Sequence, residues 1–121
     1  MVDDNVDAAD ALGVLLQQLG HEVRVAYDGT EALATVMEYR PEVVLLDIGM
    51  PVMDGYEVAQ RIHLQSLSPS PVLIALTGYG QASDRERTRQ AGFEYHVVKP
   101  VELVTLQQLF SRQLASGHDA P

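Results

Sequence analysis

Two short apolar runs constrain this chain more than any other feature. Val43-Val44-Leu45-Leu46 leads without a polar break into Asp47, and Val72-Leu73-Ile74-Ala75-Leu76 leads into Thr77. Such runs suit strands that are buried on both faces, as in a parallel sheet. Between them, Gly55 to Leu67 reads as a helix that packs Val58 and Ile62 inward.

The rest of the chain continues the alternation. Val6, Ala9, Leu12, Leu16 and Leu19 recur at helical spacing from Asn5 to Leu19, with Gly20 as the stop. Glu22 to Tyr27 alternates around Val23 and Val25 and reads as a strand. Asp28-Gly29 marks a turn, and Thr30 is the expected cap of a helix carrying Leu33, Val36 and Met37, which ends before Pro41. Ser83 to Glu86 is a capping box opening a helix that stops at Gly92. Tyr95 to Val98 is a last strand, and Val101, Leu103, Leu106, Phe110 and Leu114 mark a last helical face. Helix and strand alternate throughout, which predicts one α/β layered domain over residues 1–121, with a parallel sheet and right-handed crossovers.

Composition narrows the function. With 8 basic and 17 acidic residues the net charge is −9, so the chain lacks the basic footprint that nucleic-acid phosphates or an anionic membrane surface demand. The absence of cysteine removes thiolate nucleophiles, disulfides and zinc–thiolate sites, and fits a cytoplasmic location. No apolar run approaches the ~20 residues needed to span a bilayer, and Met1 to Asn5 does not read as a secretory signal.

In open parallel sheets, ligands bind beyond the carboxyl ends of the strands. Asp47, Thr77 and Lys99 each stand at such an end. If Met1-Val2 is the tail of a first strand, Asp3 and Asp4 join them. Each has a plainer reading alone: a turn residue, a helix-end charge, an ordinary threonine. Lys99 resists this best, being the single lysine among 8 basic residues. Clustered carboxylates call for a hard divalent cation such as Mg²⁺, and with an ammonium and a hydroxyl beside them they suit a phosphoryl group on an aspartate.

At these residues the sequence resembles the receiver domains of two-component response regulators, the CheY-like family. The matching pieces are Asp3-Asp4-Asn5, Leu46-Asp47-Ile48-Gly49-Met50-Pro51 with Met53-Asp54-Gly55, Ala75-Leu76-Thr77-Gly78 and Val98-Lys99-Pro100. The resemblance implies a three-layer, doubly wound, flavodoxin-like fold with strand order 2-1-3-4-5. It implies Asp47 as the phosphoacceptor, served by a phosphohistidine on a histidine kinase or histidine phosphotransfer domain. Mg²⁺ would lie on Asp4, Asp47 and the Gly49 carbonyl, with Asp3 acting through a water. Lys99 would pair with the acceptor and then with the phosphoryl oxygens, and Thr77 would move toward the phosphoryl group. A cis bond at Lys99-Pro100 is expected on the same ground. His96 occupies the switch position, where the family usually carries Tyr or Phe, which implies a weaker switch or one sensitive to pH in the imidazole range.

Two other functions compete. An aspartyl-nucleophile phosphatase or phosphotransferase needs a second Asp two residues after the first, where this chain has Gly49. A phosphorylation-independent interaction module would not need all five site residues. The chain is therefore expected to be a signalling domain rather than an enzyme, standing alone or cut from a longer chain such as a hybrid histidine kinase, with no output domain expected within its 121 residues.

The first strand is truncated. Only Met1 and Val2 precede Asp3, in what should be a central strand. Three missing buried side chains at ~1.5–3 kcal/mol each would remove ~4.5–9 kcal/mol, against a usual total of ~5–15 kcal/mol. The expectation is that the start omits upstream residues, and that fragility, homodimerisation or strand exchange follows.

Overall fold

The computed structural model describes residues 1–49, 54–65, 71–78, 82–99 and 101–119, without the side chains of 82–85 and 112–119. The elements are α1 (Val6–Gln18), α2 (Gly29–Tyr39), β1 (Val43–Asp47), α3 (Gly55–Leu64), β2 (Val72–Thr77), α4 (Ala82–Ala91), β3 (Tyr95–Val98) and α5 (Leu103–Asp119). β1, β2 and β3 form a parallel ladder in that order, with Leu46 opposite Ala75 and Ala75 opposite His96.

The two apolar runs are buried on both faces, as their lack of polar breaks requires. Val44, Leu46, Leu73 and Ala75 pack with Val36 of α2 and Val58, Ala59 and Ile62 of α3. Their alternates Leu45, Ile74 and Leu76 pack with Leu16 of α1 and Leu106 and Phe110 of α5. Period-2 alternation thus serves two apolar layers at once, and the result is three layers: helices, sheet, helices.

Side-chain caps set the helix starts. Asn5 Oδ1 accepts from the Ala8 N–H at 3.1 Å, and Asp54 Oδ1 accepts from the Glu57 N–H at 3.0 Å. The cap of α2 is Asp28, not Thr30: its Oδ1 accepts from the Glu31 N–H at 2.7 Å, and the helix already begins at Gly29. An aspartate caps as well as a threonine does, and from two residues earlier it takes the Glu31 N–H and so starts the helix sooner. The backbone of α4 starts at Ala82, and the Ser83 side chain lies outside the described residues.

The first two expected strands differ from the rest. Val2 is buried and bridges Leu46 on one side and Ala26 on the other, both in parallel sense. Its N–H donates to the Leu45 carbonyl at 2.8 Å, and its carbonyl accepts from the Asp47 N–H at 2.9 Å. The five extended segments therefore lie in the order 2-1-3-4-5, but Glu22–Tyr27 does not form the ladder its alternation predicts. Its pairing is confined to the stub: Ala26 N–H to Met1 carbonyl at 2.9 Å, Asp3 N–H to Ala26 carbonyl at 3.2 Å, and the Met1 ammonium to the Arg24 carbonyl at 3.0 Å. A strand needs a neighbour, and the pairing found for this one is with Met1, Val2 and Asp3. A cavity of about 550 Å³ lies before it, lined by Met1, Val23, Tyr39, Val43, Leu45 and Phe110 among others. Burial pulls the Met1 ammonium down from 8.0 to about 6. No helix of the described residues is long and apolar enough to cross a membrane.

Candidate functional site

A parallel sheet puts the carboxyl ends of all its strands on one edge, and this edge carries the polar residues that end the apolar runs. Asp47 is the last residue of β1, Thr77 the last of β2, and Lys99 follows β3 directly. Asp3 and Asp4 follow the bridged Val2. Carboxylate oxygens of Asp3, Asp4 and Asp47 lie within 4.8 Å of one another; Asp3 and Asp47 are buried and Asp4 is exposed.

Lys99 reaches this cluster. Its Nζ is 3.2 Å from Asp47 Oδ2 and 3.4 Å from Asp3 Oδ2. The backbone aims it: the Lys99 N–H donates to the Thr77 carbonyl at 2.7 Å, which continues the β2–β3 pairing past the end of β3. Backbone donors hold the other carboxylate oxygens, Asn5 N–H to Asp3 Oδ1 at 3.0 Å and Gly49 N–H to Asp47 Oδ1 at 2.9 Å.

The electrostatics are those of a crowded anionic pocket. Burial raises the Asp47 carboxyl above its ordinary value, and Asp3 adds to this, while the Gly49 N–H and Lys99 pull the other way. Burial pulls the Lys99 ammonium down, but Asp47 and Asp3 together outweigh it and leave it raised. The sign for stability follows. A carboxyl raised in the folded state supports the fold fully below the unfolded carboxylate range, and that support is lost as pH rises through its folded value. At neutral pH ionised Asp47 therefore works against the fold. Asp47→Asn is expected to raise the thermal midpoint at pH 7, and the gain should vanish near pH 3. Melts of both proteins at the two pH values check this, and a mutant less stable at pH 7 would contradict it.

The glycines shape access and packing. A Cβ added at Gly78, beside Thr77, would meet nothing within 4 Å among the described residues. At Gly55, after the Asp54 cap, it would stand 2.5 Å from Ile48 Cα and 2.9 Å from the Asp47 carbonyl oxygen. The start of α3 thus lies directly against the backbone that carries Asp47.

The structure brings Asp3, Asp4, Asp47 and Lys99 together. Thr77 sits at the same edge, but its hydroxyl is engaged with a ring: Thr77 Oγ1 is 3.2 Å from His96 Nε2. On the far side of that ring, His96 Nδ1 is 3.3 Å from Thr88 Oγ1. Thr88, only 2% exposed, is a buried residue that the sequence analysis did not single out. The available signal was a lone hydroxyl between Arg87 and Arg89 in a run of charges. Of the motif residues, Met50, Pro51, Met53 and Pro100 lie outside the described residues, and the expected cis bond with them.

The site's donor set, three clustered carboxylates with two of them beside an ammonium, fits a small hard cation better than a soft metal, which would call for thiolate or imidazole.

The chain is similar to known proteins in sequence and in fold. The family model for the response regulator receiver domain matches residues 1–111. Over 109 residues the chain is 34% identical to a protein of Leptolyngbya boryana named "Uncharacterized 14.6 kDa protein in sodA1 3'region", covering 90% of this chain and 83% of that protein. Over 106 residues it is 37% identical to the transcriptional regulatory protein PrrA of Mycobacterium tuberculosis, covering 88% of this chain but only 45% of PrrA. The chain thus spans less than half of that regulator. Among solved structures, the chemotaxis protein CheY4 of Vibrio cholerae superposes with a TM-score of 0.86 at 32% identity over 92% of each chain.

Proposed function

This chain belongs to the response regulator receiver domain family, and from that premise we propose that it is the phosphoacceptor of a two-component relay, with Asp47 taking a phosphoryl group from a phosphohistidine. The observation that carries the reading is the Lys99 ammonium, 3.2 Å from Asp47 and 3.4 Å from Asp3, at the strand-end edge. In the proposed step an Asp47 carboxylate oxygen attacks phosphorus, the P–N bond to the donor imidazole breaks, and an acyl phosphate forms.

Each neighbour has a task in that step. Lys99 first holds the Asp47 carboxylate and then pairs with a phosphoryl oxygen as charge accumulates there. The Gly49 N–H, already on Asp47 Oδ1, holds that oxygen and leaves Oδ2 to Lys99. Thr77 turns its hydroxyl from His96 toward the phosphoryl group, and His96 is the switch side chain that answers. Asp4, Asp47 and the Gly49 carbonyl would hold Mg²⁺, with Asp3 acting through a water. Bound there, the ion supplies positive charge against the phosphoryl oxygens. The donor is a histidine kinase or histidine phosphotransfer domain, in the cytoplasm, and direct nucleic-acid or membrane contact is not part of the role.

Mass spectrometry of the intact protein tests this. With Mg²⁺ and acetyl phosphate, the wild type is expected to gain one phosphate adduct that chelation of the metal suppresses and that Asp47→Asn does not form. Equal modification of both proteins would remove Asp47 as acceptor. No adduct on either would favour a phosphorylation-independent binding module.

A further inference from the structure

One arginine joins two helices beside the site. Arg87 of α4 places its Cζ 4.0 Å from the ring centroid of Tyr56, in the first turn of α3. Its Nη2 also stands 3.9 Å from Asp54 Oδ2, an ion pair longer than a hydrogen bond. The ring beneath it is held in place: Tyr56 is 8% exposed, and Phe93 meets it edge-on with ring centroids 6.5 Å apart.

We propose that Arg87 is a positioning residue for the acceptor: from α4 it holds the first turn of α3 against the backbone segment that carries Asp47. The consequence for phosphoryl transfer rests on Asp47 being the acceptor; the positioning itself does not.

Contacts in series make the path. Asp54 divides its carboxylate: Oδ1 accepts from the Glu57 N–H at 3.0 Å as the cap of α3, and Oδ2 faces Arg87. The next residue, Gly55, donates its N–H to the Ile48 carbonyl at 3.4 Å, and its lack of a side chain lets the helix rest on the backbone of Asp47 and Ile48. One residue further, the Gly49 N–H holds Asp47 Oδ1. Backbone meets backbone here, so a shift of the turn is passed to the acceptor segment rather than absorbed by a rotamer change. Small displacements of a reacting group are costly to its rate.

The ring is what makes so exposed a pair matter. The side chain of Arg87 is 63% exposed and that of Asp54 43%. Such a pair alone is worth little, because a long side chain must first be ordered and water screens the charges. Lying over a buried ring supplies that order in advance, and the cation gains from the face of the ring as well. Arg89 gives the contrast: it pairs with Glu86 at 2.7 Å, within α4 itself.

Amide spectra without any phosphodonor test the positioning, and adduct rates test its consequence. Arg87→Met keeps a long side chain over the ring and removes the charge. It is expected to shift the ¹H–¹⁵N resonances of Ile48 and Gly49. With Mg²⁺ and acetyl phosphate it should slow adduct formation on Asp47 roughly two- to tenfold, the factor of one cation–ring contact. Arg87→Lys should recover most of both effects. Arg89→Met, with the same loss of charge, should produce neither. Unmoved Ile48 and Gly49 resonances, even with a lower urea midpoint, would make Arg87 a stabilising residue only and overturn the proposal. An unchanged rate where the wild type forms the adduct would overturn it too, as would equal slowing by Arg89→Met, which would mean that charge alone steers the donor. A wild type that takes no adduct would defeat the acceptor reading alone, since the resonances decide the positioning independently.

Discussion

Adding Val-Leu-Val-Val ahead of Met1 is expected to stabilise this chain by about 4 kcal/mol or more, three buried apolar side chains at ~1.5 kcal/mol each being the low end. At this chain length that corresponds to a rise in thermal midpoint of roughly 15 °C. The groove before Met1 has the form of a strand seat. Val2 already lies in it, paired on both sides in parallel sense. The bonds from Val2 N–H to Leu45 and from Asp47 N–H to Val2 set a register whose next members on that side are the Leu45 N–H and the Val43 carbonyl. Added side chains would alternate toward Leu16 and Phe110 on one face and Val36 and Tyr39 on the other, all of which line the cavity. The extension would also turn a buried ammonium into an amide, removing the desolvation that holds it near 6. Urea or thermal melts against a Gly-Ser-Gly-Ser extension check the effect. Equal midpoints for the two extensions would mean that the groove does not accept a strand. Sedimentation of the unextended chain in the same buffers would show whether copies exchange segments to fill it.

Gly55→Ala is expected to cost about 3 kcal/mol, at the upper end for overpacking, and to slow adduct formation on Asp47 more than tenfold. The new methyl would meet Ile48 Cα at 2.5 Å and the Asp47 carbonyl oxygen at 2.9 Å. These are backbone atoms, and no rotamer change relieves them. Either α3 moves away or the segment from Asp47 to Gly49 shifts, and the latter carries both the acceptor and the N–H that orients it. Gly78→Ala is the contrasting case. With nothing within 4 Å of its Cβ it should change stability by no more than about 0.5 kcal/mol. Urea midpoints and adduct mass for both variants test the pair. A Gly55→Ala protein with wild-type stability would show that the α3 start yields freely.

The site was legible because its residues sit where a change of pattern occurs. An apolar run that ends in Asp47, another in Thr77 and a third segment in Lys99 put three polar groups at strand ends, and parallel topology brings strand ends together whatever their sequence separation. Asp3 was legible for the same reason, through the stub before it. Pairing was less so. The alternation of Glu22–Tyr27 indicates which side chains share a face, but says nothing of how far a partner backbone pairs with them, and here the pairing is with Met1, Val2 and Asp3. The Asp28 cap was displaced to Thr30 because both residue types satisfy the same donors. Thr88 was hidden by its charged neighbours: periodicity finds apolar faces, and a single buried hydroxyl among arginines barely perturbs one.

The only lysine of the chain reaches both Asp47 and Asp3 and keeps over a third of its side chain exposed. Reductive methylation with ¹³C-formaldehyde would thus place one ε-dimethyl label in the entire molecule, apart from the terminal amine, with no need to engineer a probe. Its single resonance would report directly on the charge of the pocket, so that occupancy could be followed in an unpurified mixture of states by one line in a spectrum.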